Sequence, residues 1–299
     1  MSRIELRDVG PRDGLQSEEP VAIERRVELV DALSHAGLSD IEAVSFVSPK
    51  AVPQMAGAGE VMASIERRAG VTYWALVPNR KGAELAVDAG ADALTVTISA
   101  CPVYNEKNIR QSVDDSLAAI SDIVAVADGR VVDCVISCVF GSPYTGDEPT
   151  KDVPRIIARL ADQGVNRVTL ADTTGMATPT RVEAVIAATG PDVGLHLHDT
   201  RGTALVNAWT AMSLGVRRFD TAVGGLGGSP FAAGAGGNLA TEDLVHLLDD
   251  AGIDSGIDLG ELLETARLLR GMVGHDLPGR VATHGPRSVE SAPSTTAGV

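Results

Sequence analysis

Rings are scarce in this chain: four Phe, three Tyr and two Trp make up 3% of its 299 residues. A core of the size that length allows must be filled by Val, Leu, Ile and Ala. Cysteine is scarcer still, with Cys101, Cys134 and Cys138 only. A small, odd count in so long a chain argues against a disulfide framework and fits buried thiols in a reducing compartment. Cys134 and Cys138 fall in one apolar run and are expected on one face of a strand. Positive charge is also in deficit, 25 Lys and Arg against 40 Asp and Glu, for a formal net charge of -15. Phosphate backbones want a basic face, so this balance argues against a nucleic-acid partner. No apolar run approaches the roughly 18 residues of a membrane span. Arg3 and Glu5 interrupt the N-terminus where a signal peptide would be apolar. The chain reads as cytoplasmic, without a membrane partner.

What the chain has is alternation. Strand-like runs occur at Ile4–Val9, Asp40–Phe46, Val71–Val77, Ala93–Ser99, Val131–Phe140, Arg167–Ala171, Val193–Asp199 and Arg218–Val223, each bounded by turn residues. Helical periodicity fills the gaps. Ile23, Val27, Val30 and Leu33 form a stripe between Pro20 and Gly37; Thr178-Pro179 reads as a cap, with capping-box spacing from Thr180 to Glu183; Leu205, Trp209 and Met212 form a further stripe. Eight strands alternating with helices predict a parallel sheet, and eight is the number that closes a (β/α)8 TIM barrel. An open doubly wound sheet is the alternative, weakened because no Gly-x-Gly-x-x-Gly follows the first strand. Beyond the eighth strand, Thr241–Ala251 and Glu261–Met272 read as extra C-terminal helices. One catalytic domain over 1–284 and a disordered tail over 285–299 are expected, the tail because it is low in hydrophobic residues.

In such a barrel the working side chains sit at the C-terminal strand ends. Those ends carry Arg12-Asp13-Gly14, Glu42 and Ser45, Asp172, and His196-Leu197-His198-Asp199. His196 and His198 are two apart on a strand, so their imidazoles share one side and can ligate one metal. The plainer alternative is a histidine that only bonds backbone or a carboxylate. Imidazoles with carboxylate and amide oxygens suit Mg²⁺ or Mn²⁺, or else Zn²⁺ or Co²⁺. The run from Gly224 to Asn238 is too glycine-dense for an ordinary link and suggests a lid or an anion nest. It is no Walker motif, since no Gly-Lys-Ser/Thr follows.

Four strings bear a close resemblance to hydroxymethylglutaryl-CoA lyases, a branch of a metal-dependent TIM-barrel superfamily. They are Val9-Gly-Pro-Arg-Asp-Gly-Leu-Gln16, Ser45-Phe-Val-Ser-Pro-Lys50, His196-x-His198-Asp-Thr200 and Gly224–Asn238 with the following Leu-Ala-Thr-Glu-Asp-Leu244. The resemblance covers about residues 3–270. It implies retro-Claisen cleavage of a 3-hydroxyacyl-CoA thioester into an acyl-CoA and a 3-oxo acid. It implies a divalent metal, Mg²⁺ or Mn²⁺, on Asp13, His196, His198 and Asn238, with Arg12 polarising the thioester carbonyl. Asp13 or His196 would act as base; Glu42 and Asp172 would orient the ligands, and Glu242 would support the loop. Asn108, with Lys50, Lys107 and Arg110, is a candidate contact for the adenine diphosphate of CoA, with surface solvation as the alternative role; a homodimer is the assembly the resemblance implies. The chain departs from the pattern at one position: Ser229 stands where family members carry the loop cysteine that helps transfer the final proton. A hydroxyl is a far weaker acid than a thiol of pKa about 8.5. The departure leaves open a serine-held water or another acid acting on the usual substrate, a related hydroxyacyl or aldol-type substrate, and a non-catalytic CoA- or metal-binding homologue; a condensing synthase of the same superfamily is a separate alternative.

Overall fold

The computed structural model describes residues 3–144, 146, 152–228 and 236–287. Eight strands run parallel: β1 (Glu5–Asp8), β2 (Asp40–Ser45), β3 (Thr72–Leu76), β4 (Ala93–Ser99), β5 (Val131–Ser137), β6 (Arg167–Asp172), β7 (Gly194–Leu197) and β8 (Arg218–Thr221). They pair in chain order and β8 returns to β1, so the sheet closes into a (β/α)8 barrel. The connections are α1 (Ile23–His35), α2 (Ala58–Ser64), α3 (Arg80–Asp88), α4 (Pro102–Ile109), α5 (Val113–Val124), α6 (Val153–Asp162), α7 (Pro179–Thr189) and α8 (Ala204–Ser213). After β8 come α9 (Thr241–Asp250), α10 (Leu259–Val273) and a short α11 (Arg280–His284) that no periodicity announced. Among the described residues, no helix is long and apolar enough to cross a membrane.

The apolar core lies between strands and helices. Leu29, Val30 and Leu33 of α1 pack there with Ile41 and Val44 of β2 and Leu262 and Leu269 of α10. Few as the rings are, Tyr73, Phe140 and Phe219 are among its largest fully buried side chains. The inside of the barrel is polar instead. Arg7 of β1 reaches Asp133 of β5 on the opposite wall at 2.9 Å, and Asp133 takes a bond from Thr169 of β6 at 2.8 Å. Branched aliphatics, the usual barrel filling, are displaced here by charge.

Three local expectations change. β5 stops at Ser137, because Cys138 adopts φ 60°, a left-handed conformation that turns the chain out of the strand. Cys138 therefore leaves the face of Cys134 and joins Cys101 and Tyr104 in a small cluster, while Cys134 stays in the main core. All three thiols are free and buried. On α8 the buried face is Ala204, Asn207, Ala208, Ala211 and Met212, with Trp209 45% exposed. Small residues let α8 lie close to the barrel, so the bulky ring faces outward. Thr178 precedes α7 without a side-chain cap bond; Pro179 alone marks the start. Of the tail expected over 285–299, residues 288–299 lie outside the described residues.

Candidate active site

The chain leaves β1 through a single wide helical turn, Gly10–Gly14. Pro11 at its start lacks the N–H that a first turn cannot satisfy. The turn places Arg12 and Asp13 over the C-terminal mouth of the barrel. Arg12 donates through Nε to Glu42, which rises from β2 fully buried, and through Nη1 to Asp13 Oδ1 at 2.7 Å. Glu42 so fixes the guanidinium, and the guanidinium fixes Asp13.

From β7, His196 and His198 point to the same side. β7 ends one residue before His198, which is carried on by an antiparallel bridge to Asn238. His196 Nδ1 lies 3.2 Å from Asp220 Oδ2, and His198 Nδ1 lies 3.0 Å from the Gly236 carbonyl oxygen. A carbonyl and an ionised carboxylate only accept, so in each neutral ring Nδ1 carries the hydrogen and Nε2 is bare. The two Nε2 atoms stand 3.1 Å apart. Lone pairs so placed repel unless a proton or a cation lies between them. Asp13 completes the cluster: its carboxylate and both imidazoles offer ligand atoms within 4.8 Å of one another. Asn238 Nδ2 donates to Asp13 Oδ2 at 2.7 Å and to the Leu226 carbonyl at 2.8 Å, so its amide oxygen is the atom it could lend. Two imidazoles, a carboxylate and an amide oxygen fit a divalent cation.

The electrostatics agree with this geometry. Burial alone would raise the Asp13 carboxyl, but Arg12 and the two histidines override it and hold the pKa below the ordinary value. Burial and the adjoining His196 push the His198 imidazole down to about 4, which keeps its lone pair available. For His196, burial is outweighed by Asp220, and the pKa is raised.

The other expected residues are placed as follows. Asp172, at the end of β6, accepts from the N–H groups of Met176 and Ala177 at 2.7 and 3.0 Å, and burial pushes its pKa up to about 6. Its Oδ2 and Glu42 Oε1 are buried without a hydrogen-bond partner among the described residues. Glu242 accepts from Gly224 N at 3.0 Å, bracing the start of the glycine run. At Gly227, φ is +111°, and a Cβ there would meet Asn238 Nδ2 and, at 2.9 Å, Asp13 Oδ2, so glycine admits both ligands. Thr200 Oγ1 takes the Gly236 N–H at 2.9 Å, and Asp199 Oδ1 takes Ala204 N at 2.9 Å, tying the histidine motif to the loop and to α8. Ser229 lies outside the described residues. Asn108 sits half-buried on α4, with no bond to the cluster among the described residues; Asn105 is the buried amide there, tying Ser99 N to Gln111 and Ser116. Lys107 stacks over the Tyr144 ring at 4.1 Å, while Lys50 and Arg110 are exposed. Sequence reasoning missed Asp220 and Arg7 behind His196. Asp220 stands two residues beyond the polar start of β8, and its inward parity was the signal available.

A closed eight-stranded barrel with two imidazoles and a carboxylate converging at its C-terminal mouth defines a (β/α)8 barrel of the enzyme type, with a candidate metal centre. The HMGL-like family model matches residues 3–269, and the chain belongs to that family. Hydroxymethylglutaryl-CoA lyase YngG of Bacillus subtilis (strain 168) is 40% identical over 286 residues, 93% of this chain and 96% of that protein. A 3-hydroxy-3-isohexenylglutaryl-CoA/hydroxy-methylglutaryl-CoA lyase of Pseudomonas aeruginosa is also 40% identical, covering 94% and 96%. Among solved structures, an HMG-CoA lyase of Acinetobacter baumannii in complex with coenzyme A and 3-methylmalate aligns with a TM-score of 0.92 and 38% identity, over 97% of this chain and 98% of that one.

Proposed function

We propose that this protein is a divalent-metal-dependent carbon–carbon lyase that cleaves a 3-hydroxyacyl-CoA thioester, hydroxymethylglutaryl-CoA or a close relative, to an acyl-CoA and a 3-oxo acid. The observation that carries the reading is the pair of imidazole Nε2 atoms 3.1 Å apart beside an ionised Asp13. Asp13, His196, His198 and Asn238 would hold the cation, with Mg²⁺ or Mn²⁺ the metals that the oxygen ligands favour. When bound, a divalent ion lowers the pKa of a coordinated hydroxyl. The chain's own residues supply the rest. Cleavage removes the 3-hydroxyl proton while negative charge builds on the thioester enolate. Asp13, through a carboxylate oxygen not lent to the cation, can take that proton; His196 can do so only where its Nε2 is not bound to the cation. Arg12, locked in place by Glu42, offers a fixed cationic donor to the enolate oxygen.

One observation favours a substrate with a larger 3-substituent. The resemblance puts Ser229 where the family has its loop cysteine, and the P. aeruginosa relative is named for a 3-isohexenyl substrate beside the methyl one. One experiment tests the reading. A panel of 3-hydroxyacyl-CoA thioesters is read by mass spectrometry with wild type and Ser229→Cys, before and after metal removal. Chelation is expected to abolish cleavage and Mg²⁺ or Mn²⁺ to restore it; full turnover after exhaustive metal removal would sink the proposal. Strong new activity of Ser229→Cys on hydroxymethylglutaryl-CoA would assign wild type to a related substrate.

A further inference from the structure

Behind the candidate metal cluster, the barrel interior holds a row of charges that the proposed reaction leaves unused. Arg7 pairs in register with Asp220, and Asp220 pairs in register with His196, so the three stand at one level on β1, β8 and β7. All are buried. Arg7 grips both oxygens of Asp220, Nε to Oδ1 at 2.8 Å and Nη2 to Oδ2 at 2.9 Å. Its Nη2 also reaches Asp133 at 2.9 Å, and its guanidinium lies 4.7 Å from the centre of the Trp74 ring. Asp220 Oδ2, held by Arg7, is the same atom that meets His196 Nδ1.

We infer that Asp220 is a positioning residue for the cation site: it fixes His196 in the tautomer whose Nε2 is bare, while Arg7 holds Asp220 turned away from the cluster. A loose carboxylate this close to a divalent ion could swing round and bind it directly. The two-point guanidinium grip removes that freedom. It also separates the two imidazoles in strength. His196 leans on a carboxylate, His198 on the neutral Gly236 carbonyl, so His196 is the more basic ligand.

The inference rests on the metal reading above, and its test keeps the two apart. Co²⁺ is titrated by calorimetry into the metal-free full chain, and the ring nitrogens are followed by ¹⁵N NMR of histidine-labelled protein. Asp220→Asn is expected to weaken Co²⁺ binding about 10- to 100-fold, the usual cost of losing such an outer partner, and to shift His196 from the Nδ1–H form toward Nε2–H. Asp133→Asn removes the other partner of Arg7 and should lower thermal stability while leaving Co²⁺ affinity and the His196 signals as in wild type. Equal Co²⁺ binding and unchanged ring signals in Asp220→Asn would overturn the inference, as would an equal loss of affinity in Asp133→Asn. If Asp220→Asn does not fold, Arg7→Lys keeps the charge but loses the two-point grip, and it must still weaken Co²⁺ binding. If wild type binds no Co²⁺, the metal reading fails, and the NMR arm alone decides whether Asp220 sets the tautomer.

Discussion

The two ends of one barrel interior handle charge in opposite ways. Toward the N-terminal floor, Arg7 is shared by Asp220 and Asp133, Thr169 closes on Asp133, and Trp74 bonds Asp40 while stacking on Arg7. The cavity these residues line measures only about 20 Å³, roughly room for one water molecule. At the mouth, ligand atoms crowd together with a surplus of acceptors. Two imidazole Nε2 atoms stand 3.1 Å apart, and buried oxygens of Glu42 and Asp172 have no partner among the described residues. Charges at the floor are largely paired with one another, although Asp133 Oδ1 has no hydrogen-bond partner among the described residues; those at the mouth are held in place but left open. Saturated polar groups hold a structure in one state, whereas open and oriented ones are prepared for something that arrives later.

The largest expected effect breaks this comparison at the mouth. Asp13→Asn keeps the shape and removes the charge that joins the imidazoles and Arg12. Its turnover is expected to fall about 10³-fold, the scale seen for loss of one preorganised electrostatic group. Asp13 is partly exposed, 15% at the side chain, so a urea midpoint close to wild type is expected alongside. A large loss of stability with little loss of turnover would mean that the mouth is built like the floor.

At the floor the effect should be inverted. Arg7→Met leaves Asp220 and Asp133 buried without the guanidinium they share, with only His196 and Thr169 as partners, and breaking such a buried pair costs about 3–5 kcal/mol. Equilibrium urea denaturation of the full chain should show that loss. A variant as stable as wild type would show that the floor charges are not needed for the fold.

Much of this division was legible in the sequence, and the reason is parity. Period-two strands and period-3.6 helices alternate along the whole chain, so the barrel follows from pattern alone. His196 and His198 share a side because they are two apart, and Asp13 follows the first strand, so the mouth is readable from strand ends. The floor was not. Arg7 and Asp220 sit inside strands flanked by ordinary core residues, and only the closed register brings β8 beside β1. Cys138 was misplaced for a related reason: a single left-handed residue ends β5, and neither residue type nor periodicity signals it. Trp209 was misread because hydrophobicity says what can be buried, while the close approach of α8 requires alanine at the contact.

Glu242 tests the comparison most finely, because it belongs to the mouth yet is buried like a floor residue. Among the described residues no cation pairs with it, unlike Asp220 and Asp133; its bond is to the Gly224 N–H. Burial pushes its pKa from 4.5 up to about 8. The folded chain therefore holds this proton across a window in which the unfolded chain has released it. Stability from this group is complete below about pH 4.5 and is lost as pH rises toward 8. Glu242→Gln keeps an acceptor oxygen for Gly224 and cannot ionise. Urea midpoints taken at several pH values across that window should fall less steeply for the variant than for wild type. Asp8 and Asp172, both pushed up to about 6 by burial, contribute the same downward slope to both proteins, so the difference between the two curves reports Glu242. Identical slopes in the two proteins would mean that Glu242 finds a compensating charge after all, and the mouth would then be as saturated as the floor.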